Sequence, residues 1–179
     1  MADNLIIRDV SEDDAEAIAA IYRHHVLHGT ASYEVEPPSI ADTLAKMARI
    51  TAPGWPFIVA ELDGEVAGYA YVTQFRDRPA YRFTAEDSIY VHPGRLGCGV
   101  GKALLRALMK RSADFGFETI VAVIGGAEPA SIALHAAFGF AEVGRLSAVG
   151  HKFGRWLDSV YMQAAVGSAL KDRKPAAGR

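Results

Sequence analysis

The chain has 179 residues, of which 50% are hydrophobic and 22% are charged, and its formal net charge is −2 at pH 7. This length and composition predict one domain with a substantial core. The charge excludes the basic footprint of a nucleic-acid-binding protein, no stretch is apolar and long enough to span a membrane, and a single cysteine excludes an internal disulfide framework. The N-terminus lacks the pattern of a secretory signal, so we expect a cytoplasmic protein without membrane partners.

The first third of the chain predicts one strand and two helices. The segment LIIRDV is rich in strand-forming residues. Ser11 and Asp14 follow it with a spacing similar to a capping box, which predicts a helix that ends near Gly29. Ser39 and Asp42 repeat the spacing and predict the start of a second helix.

The rest of the chain alternates strands with two further helices. The turn Asp63–Gly64 joins the strands PFIVAEL and EVAGYAYVTQF in a hairpin. The strand TAEDSIYV precedes a helix over residues 101–115, the buried strand ETIVAVI precedes a helix over 129–138, and two strands follow. Strand–helix–strand units pair in parallel with a right-handed crossover. We therefore predict an α/β fold, a mixed sheet of about seven strands flanked by about four helices, over residues 1–165, with a polar tail at 166–179.

The stretch HPGRLGCGVGK places three glycines, Gly97, Gly99 and Gly101, at alternate positions directly before a helix. Glycine is favoured where φ is positive or where another group approaches the backbone closely. The spacing is not the G-x-G-x-x-G of dinucleotide-binding folds, and Ala103 stands where a P-loop requires a hydroxyl. The pattern therefore predicts a different phosphate-binding turn, made of free N–H groups at a helix start. A tight turn with glycines kept for packing is the alternative.

Two segments, IYVHPGRLGCGVGKALL and AVIGGAEPASIALHAAFGF, resemble the GNAT superfamily of acetyl-CoA-dependent N-acetyltransferases. RPAYRFTAEDSIYV and AVGHKFGRWLDSVYMQ narrow the resemblance to the subfamily that acetylates phosphinothricin and methionine sulfoximine or sulfone. The resemblance runs from residue 5 to about residue 163. It implies a GNAT-like fold, acetyl-CoA as co-substrate, no metal, and a homodimer. It also implies direct acetyl transfer, in a ternary complex, to the α-amine of a small amino-acid-like substrate.

In this family the strand before the glycine turn splays from its parallel neighbour, and the pantetheine arm bonds the exposed main chain. The resemblance implies cofactor contacts from that strand, the turn and the following helices: Ile89, Tyr90, Val91, Gly97, Cys98, Gly99, Val100, Gly101, Lys102 and Ser131. The amide of Val91 is expected to bind the developing oxyanion. Leu96 stands where the family usually has Gln or Arg, which leaves Arg95 as a possible replacement. Glu128 stands where the family often has Asn.

Acetyl transfer to an amine requires a base, because an ammonium has no lone pair. The segment AED offers Glu86 and Asp87, which strand alternation places on opposite faces. The resemblance assigns Glu86 as the base, and a β-bulge would reverse the two faces. His135 stands where many superfamily members have a tyrosine general acid, and an imidazole titrates in the range suited to protonating a thiolate. Packing beside Leu134 and Phe138 is the alternative role for this histidine.

The subfamily substrates carry an α-carboxylate and a second oxygen-bearing group, for which the donor fork of arginine is suited. The resemblance implies substrate contacts from the loop after the first helix, from the loop before the strand TAEDSIYV, and from the last specific motif: Tyr33, Arg76, Arg78, Tyr81 and Lys152. A solvated loop face is the alternative for Arg76.

Two other functions fit the same residues. A module that senses acyl-CoA without transfer would have a closed acceptor pocket or Glu86 turned to the core. An acetyltransferase of protein N-termini or lysines would need an open groove, whereas Arg78 and Tyr81 favour a small anionic ligand. A covalent intermediate on Cys98 is the alternative mechanism, because a thiol pKa can fall at a helix start.

Overall fold

The computed structural model describes residues 4–168 and contains one central sheet flanked by helices. The strands are β1 (Leu5–Asp9), β2 (Phe57–Leu62), β3 (Glu65–Gln74), β4 (Thr84–Val91), β5 (Thr119–Gly125), β6 (Ala141–Lys152) and β7 (Arg155–Ala165). The helices are α1 (Ala15–His28), α2 (Ile40–Thr51), α3 (Val100–Phe115) and α4 (Pro129–Ala136). The sheet order is β1-β2-β3-β4-β5-β7-β6. The predicted element order, with seven strands and four helices, is confirmed.

Parallel pairing is confined to the centre of the sheet. β4 and β5 run parallel, and the other neighbours pair antiparallel. Because α3 connects the parallel pair, the glycine turn at its start lies at the end of β4, beside the centre of the sheet. This confirms the predicted mixed sheet and places the turn where two parallel strands end together.

The two faces of the sheet carry separate cores. On one face α3 inserts Leu104, Leu105 and Leu108, all completely buried, among the apolar side chains of the strands. Burying each such side chain stabilises the fold by about 1.5–3 kcal/mol. On the other face α1 and α2 cover an aromatic surface that includes Tyr69 and Tyr71. Both faces of the central strands are therefore covered, which keeps their backbone direction well defined.

The two predicted helix starts differ in geometry. At α2 the Ser39 Oγ accepts the Asp42 N–H at 3.1 Å and the Asp42 carboxylate accepts the Ser39 N–H at 3.0 Å, so this capping box is confirmed. At Ser11 the N–H also donates to Asp14, at 2.8 Å, but a turn of 3₁₀ helix over residues 12–14 precedes α1. The Asp14 carboxylate additionally pairs with Arg8 at 2.8 Å, which ties the start of α1 to β1.

Backbone hydrogen bonds to the sheet continue past residue 165, the predicted end of the domain. The N–H groups of Val166 and Gly167 donate to the Glu118 carbonyl at 2.9 and 3.2 Å, and Gly167 is buried. These two residues of the predicted tail therefore bond to the domain, and residues 169–179 of that tail lie outside the described residues. Between residues 4 and 168, none of the helices is both long and apolar enough to cross a membrane.

Candidate active site

A wedge-shaped gap opens between the two parallel strands. β4 and β5 pair from Thr84 opposite Thr119 to Asp87 opposite Ala122, and no further. Beyond this point β4 stays with β3 as far as Val91, while β5 stays with β7. The cavity inside the gap is lined by residues 88–90 of β4, residues 122–125 of β5, and three side chains near α4: Glu128, Ser131 and His135. The geometry is the splay that the resemblance implied, and Asp87 marks its apex.

Only every second residue of β4 directs its main-chain N–H and C=O groups into this gap. The His92 N–H donates to the Ala67 carbonyl on the β3 side at 2.8 Å. Since hydrogen-bonded pairs alternate along an antiparallel ladder, Tyr90 also faces β3, whereas Ile89 and Val91 face the gap. The main chain of Tyr90 therefore bonds to β3, although the residue still lines the gap, and its contact with the cofactor stays a prediction. Its ring packs 5.0 Å from that of Tyr22 on the other face of the sheet.

His25 of α1 forms a hydrogen bond with a main-chain carbonyl of β4. His25 Nε2 lies 2.9 Å from the Val91 carbonyl oxygen, which can only accept, so Nε2 carries the proton. Burial lowers the pKa of His25 more than the bond to Val91 raises it, which favours the neutral ring. The amide of Val91 is not involved in this bond. The sequence offered no signal for His25, because its spacing fits an ordinary helix face.

The glycine turn has the conformation that its sequence predicts. Gly97 and Gly99 have φ of +77° and +84°, in the left-handed region where a side chain is strained. α3 begins at Val100, and its first N–H groups have no acceptor within the helix. Gly101 is different, because it is helical and a Cβ there would meet its nearest side chain at 3.4 Å, an ordinary contact. The fold itself therefore requires glycine at two of the three positions.

The side chains around this turn do not supply the family's usual polar contact. The Arg95 guanidinium pairs with Glu65 at 3.2 Å and with Asp63 at 3.7 Å, both at the β2–β3 hairpin. Leu96 is exposed, and so is Cys98, whose thiol lies 3.8 Å from the Leu96 carbonyl. In this structure Arg95 therefore points to the β2–β3 hairpin and does not take the place of the Gln or Arg that the family usually has at position 96.

The two neighbouring carboxylates of β4 lie on opposite faces. The pairing of β4 with β3 is regular, so no bulge reverses the alternation. The Glu86 side chain is 33% exposed and lies 3.6 Å from Arg76, on the face that α1 covers, whereas the Asp87 side chain is 2% exposed on the other face. Burial raises the pKa of Glu86, the charge of Arg76 partly offsets this, and the charge of Asp87 adds to it. Glu86 is therefore a reachable carboxylate with increased basicity.

Asp87 forms a buried pair with the histidine of α4. His135 Nε2 lies 3.0 Å from Asp87 Oδ2, and Nδ1 lies 2.7 Å from the Ser131 carbonyl. Burial lowers the pKa of His135, but the hydrogen bond and the charge of Asp87 outweigh it and raise the pKa overall. The sequence predicts a functional His135 but not its pairing with Asp87. The two residues are 48 positions apart, and only the packing of α4 on the sheet brings them together.

Tyr33 forms a wall of the cleft on the Glu86 side. Its hydroxyl donates to the Asp158 carbonyl at 2.7 Å and accepts the Gly126 N–H and the Ser159 hydroxyl, each at 3.1 Å. Its ring lies so close to Gly150 that a Cβ there would come within 2.5 Å of it. The hydroxyl is thus fully occupied within the protein, and the ring is the part that faces the cleft, together with Glu86 and Ser88.

Lys152 is buried, which differs from the predicted substrate contact. Its ammonium donates to the carbonyls of Gly29 and Ser32 at 3.0 and 2.7 Å. Burial lowers its pKa, and the charge of Glu34 partly offsets this effect. The ammonium is directed into the loop after α1, so Lys152 fastens that loop to β6, and its contact with substrate stays a prediction.

The loop before β4 brings one of its two candidate arginines to Glu86. The Arg76 guanidinium stacks 4.0 Å from the Phe75 ring centroid and contacts Glu86. Arg78 and Tyr81 are exposed, and Tyr81 packs edge-on against Phe75 with a centroid distance of 5.7 Å. Arg76 is also exposed, with half of its side chain accessible, so the solvated alternative stays open. Substrate contacts by Arg76, Arg78 and Tyr81 stay predictions.

Comparison with known proteins identifies the family. The model of the Acetyltransferase (GNAT) family matches residues 16–140. A phosphinothricin N-acetyltransferase of Alcaligenes faecalis is 48% identical over 158 residues, 88% of this chain and 80% of that protein. An L-methionine sulfoximine/L-methionine sulfone acetyltransferase of Salmonella typhimurium is 38% identical, over 89% of this chain and 93% of that protein.

A solved structure extends the similarity to the fold. The phosphinothricin acetyltransferase of Sinorhizobium meliloti, in complex with AcCoA, superimposes with a TM-score of 0.92 at 47% sequence identity. The match covers 98% of this chain and 95% of that one. Sequence and overall fold thus agree, and the chain belongs to the GNAT family of acetyltransferases.

Proposed function

We propose that the chain is an acetyl-CoA-dependent N-acetyltransferase of small amino-acid-like substrates of the phosphinothricin, methionine sulfoximine or methionine sulfone type. The observation that carries the proposal is the wedge at the end of β4, because it joins a free strand edge, a helix start and the carboxylate of Glu86. The names of the Alcaligenes and Salmonella relatives support the substrate class.

The residues present fit the co-substrate. Ile89 and the Val91 amide offer the strand edge that an amide-containing pantetheine arm pairs with, as an added strand would. The N–H groups from Gly97 to Lys102 form the concave, positively polarised site that suits a pyrophosphate. Gly101 supports this role, because the fold alone does not require glycine there and a closely approaching anion would. Lys102 is exposed beside the turn, Cys98 and Val100 contribute their amides, and Ser131 faces the gap.

Glu86 is the proposed base. It accepts a proton from the substrate ammonium, and the freed lone pair attacks the thioester carbonyl while the Val91 amide donates to the developing oxyanion. Burial raises the pKa of Glu86, which brings its basicity closer to that required at neutral pH. The proposed transfer is direct, within a ternary complex, and needs no nucleophile from Cys98.

The acceptor side of the cleft favours a small substrate. Hydrogen bonds of Tyr33 and Lys152 hold the loop after α1 in place. This loop therefore forms an ordered wall of the cleft beside Glu86. Arg76 at 3.6 Å from Glu86 supplies a cation that can also meet a substrate carboxylate. The exposure of Glu86 argues against a sensor with a closed pocket.

We also propose a cytoplasmic homodimer. The hairpin of β6 and β7 exposes several large apolar side chains: Val143, Leu146, Val149, Phe153 and Trp156. β6 is the edge strand of the sheet, and an exposed apolar edge invites pairing with another chain. Trp156→Ser should therefore shift the mass measured by light scattering towards the monomer, whereas Ile6→Ser, at the opposite edge, should not. A wild-type monomer at micromolar concentration would contradict the dimer.

The test of the function is release of CoA thiol from acetyl-CoA with a panel of amines. The panel contains phosphinothricin, methionine sulfoximine, methionine sulfone, the plain amino acids and a lysine peptide. We expect turnover concentrated on the first three. Turnover of the peptide alone would refute the proposed substrate class in favour of a peptide substrate. Tight acetyl-CoA binding without any turnover would refute the transferase activity and favour a sensor.

A further inference from the structure

The peptide group between Val91 and His92, at the end of β4, is hydrogen-bonded on both sides. Its N–H, which belongs to His92, donates to the Ala67 carbonyl of β3 at 2.8 Å. Its C=O, which belongs to Val91, points the opposite way, as the two ends of a trans peptide do. This carbonyl accepts the Nε2–H of His25 at 2.9 Å. One side of the peptide is therefore bonded to the sheet and the other side to helix α1.

The bond from His25 stands where β4 has no neighbouring strand. β5 pairs with β4 only as far as Asp87, and the residues beyond it that face the gap are Ile89 and Val91. Four main-chain groups point into the gap, namely the N–H and the C=O of each of these two residues. β5 pairs with none of the four, and His25 bonds one of them, the Val91 carbonyl. The histidine thus takes the place of a strand partner at the outer end of this edge.

The ring of His25 is itself fixed by packing. It lies against the Tyr90 ring with a centroid distance of 5.4 Å, and the Tyr22 ring packs edge-on against the same tyrosine at 5.0 Å. His25 belongs to the last turn of α1, where its neighbour Val26 is buried in the core on this face of the sheet. The donor that meets Val91 is therefore carried by a packed helix and an aromatic surface, so the bond restrains the strand.

We propose that His25 is a positioning residue for the acyl-CoA arm: by bonding the Val91 carbonyl, it fixes the outer end of the strand edge on which the arm lies. The inference rests on the proposed use of acetyl-CoA. Three groups then stay open to the amides of the arm, namely both main-chain groups of Ile89 and the N–H of Val91. Because Val91 cannot turn without breaking its bond to His25, its N–H keeps one direction. The arm therefore binds to a preorganised edge, which sets how deep its thioester reaches into the gap.

The first test measures the peptide itself, without ligand or turnover. Amide hydrogen exchange of His92 is followed by NMR in the wild type, in His25→Leu and in His25→Gln, whose side-chain amide can replace the Nε2–H donor. We expect exchange to be about 10-fold faster in His25→Leu, because one hydrogen bond is lost, and to return to the wild-type rate in His25→Gln. The exposed His28, also in the last turn of α1, supplies the control His28→Leu, which should exchange as the wild type does. Equal rates in all four proteins would overturn the proposal, whatever the chain binds.

The second test separates the arm from the nucleotide. CoA and ADP both carry a diphosphate for the glycine turn, but only CoA carries the arm. In His25→Leu we expect CoA to bind about 10-fold more weakly by calorimetry, because the edge must now be ordered on binding, and ADP to bind as it does to the wild type. His25→Gln should restore the affinity for CoA. Equal weakening for both ligands, or none for CoA, would overturn the proposal. A wild type that binds CoA no better than ADP would instead refute the proposed use of acetyl-CoA.

Discussion

Replacing Lys152 by methionine should loosen the wall of the acceptor cleft. The methionine keeps most of the apolar stem, but the carbonyls of Gly29 and Ser32 lose donors at 3.0 and 2.7 Å. Hydrogen bonds from charged groups contribute about 1.5–3 kcal/mol each. The desolvation cost of the buried ammonium is removed at the same time, which offsets part of the loss. We expect the free energy of unfolding to fall by about 2–4 kcal/mol.

Urea denaturation of Lys152→Met measures this loss, and Lys110→Met is the matched control. Lys110 is 76% exposed and pairs with Asp114 one turn along α3. Such a pair contributes about 0.3–0.5 kcal/mol, so the control should stay close to the wild type. A Lys152→Met variant as stable as the control would refute the assignment of Lys152 as the fastener of the loop.

The same variant distinguishes a fastener from a residue that touches substrate. A fastener acts through Tyr33 and its loop, so the KM for the amine should rise for every substrate of the panel while acetyl-CoA affinity is unchanged. A direct contact with the oxygen-bearing group would raise the KM only for substrates that carry it. The second pattern would restore Lys152 to the substrate site.

Three further substitutions test the rest of the site. Glu86→Gln should keep acetyl-CoA affinity, measured by calorimetry, and lower kcat about 100-fold; unchanged turnover would remove Glu86 as the base. Because burial raises the pKa of Glu86 and its ionised form is the active one, kcat/KM of the wild type should begin to fall, on acidification, above the usual range of a glutamate. Gly99→Val forces a β-branched residue to φ +84°, at a cost of about 1–3 kcal/mol, and should weaken acetyl-CoA binding; undiminished affinity would refute the phosphate-binding turn. Arg78→Ala should raise the KM chiefly for substrates with the oxygen-bearing group, and an equal effect on all amines would exclude Arg78 from recognition.

The local features of this chain were predictable because short segments encode them. The Ser39–Asp42 spacing, the Asp63–Gly64 turn and the glycine pattern before α3 each depend on residues a few positions apart. Strand alternation likewise predicts that Glu86 and Asp87 lie on opposite faces of β4, as the regular β3–β4 pairing has them. The resemblance to the family then supplied what these segments do not contain, namely the co-substrate and the splay of β4 from β5.

The sequence by itself determined the order of the elements, the glycine turn and the chemical types available at the site. The tertiary structure alone decided which of those groups are still free. The Lys152 ammonium is already hydrogen-bonded to a loop about 120 positions away, and the main chain of Tyr90 bonds to β3. Asp87 meets His135 only because α4 packs on the sheet. The physical reason is that periodicity places a side chain on a face, whereas its hydrogen-bond partners come from distant parts of the chain brought together by packing.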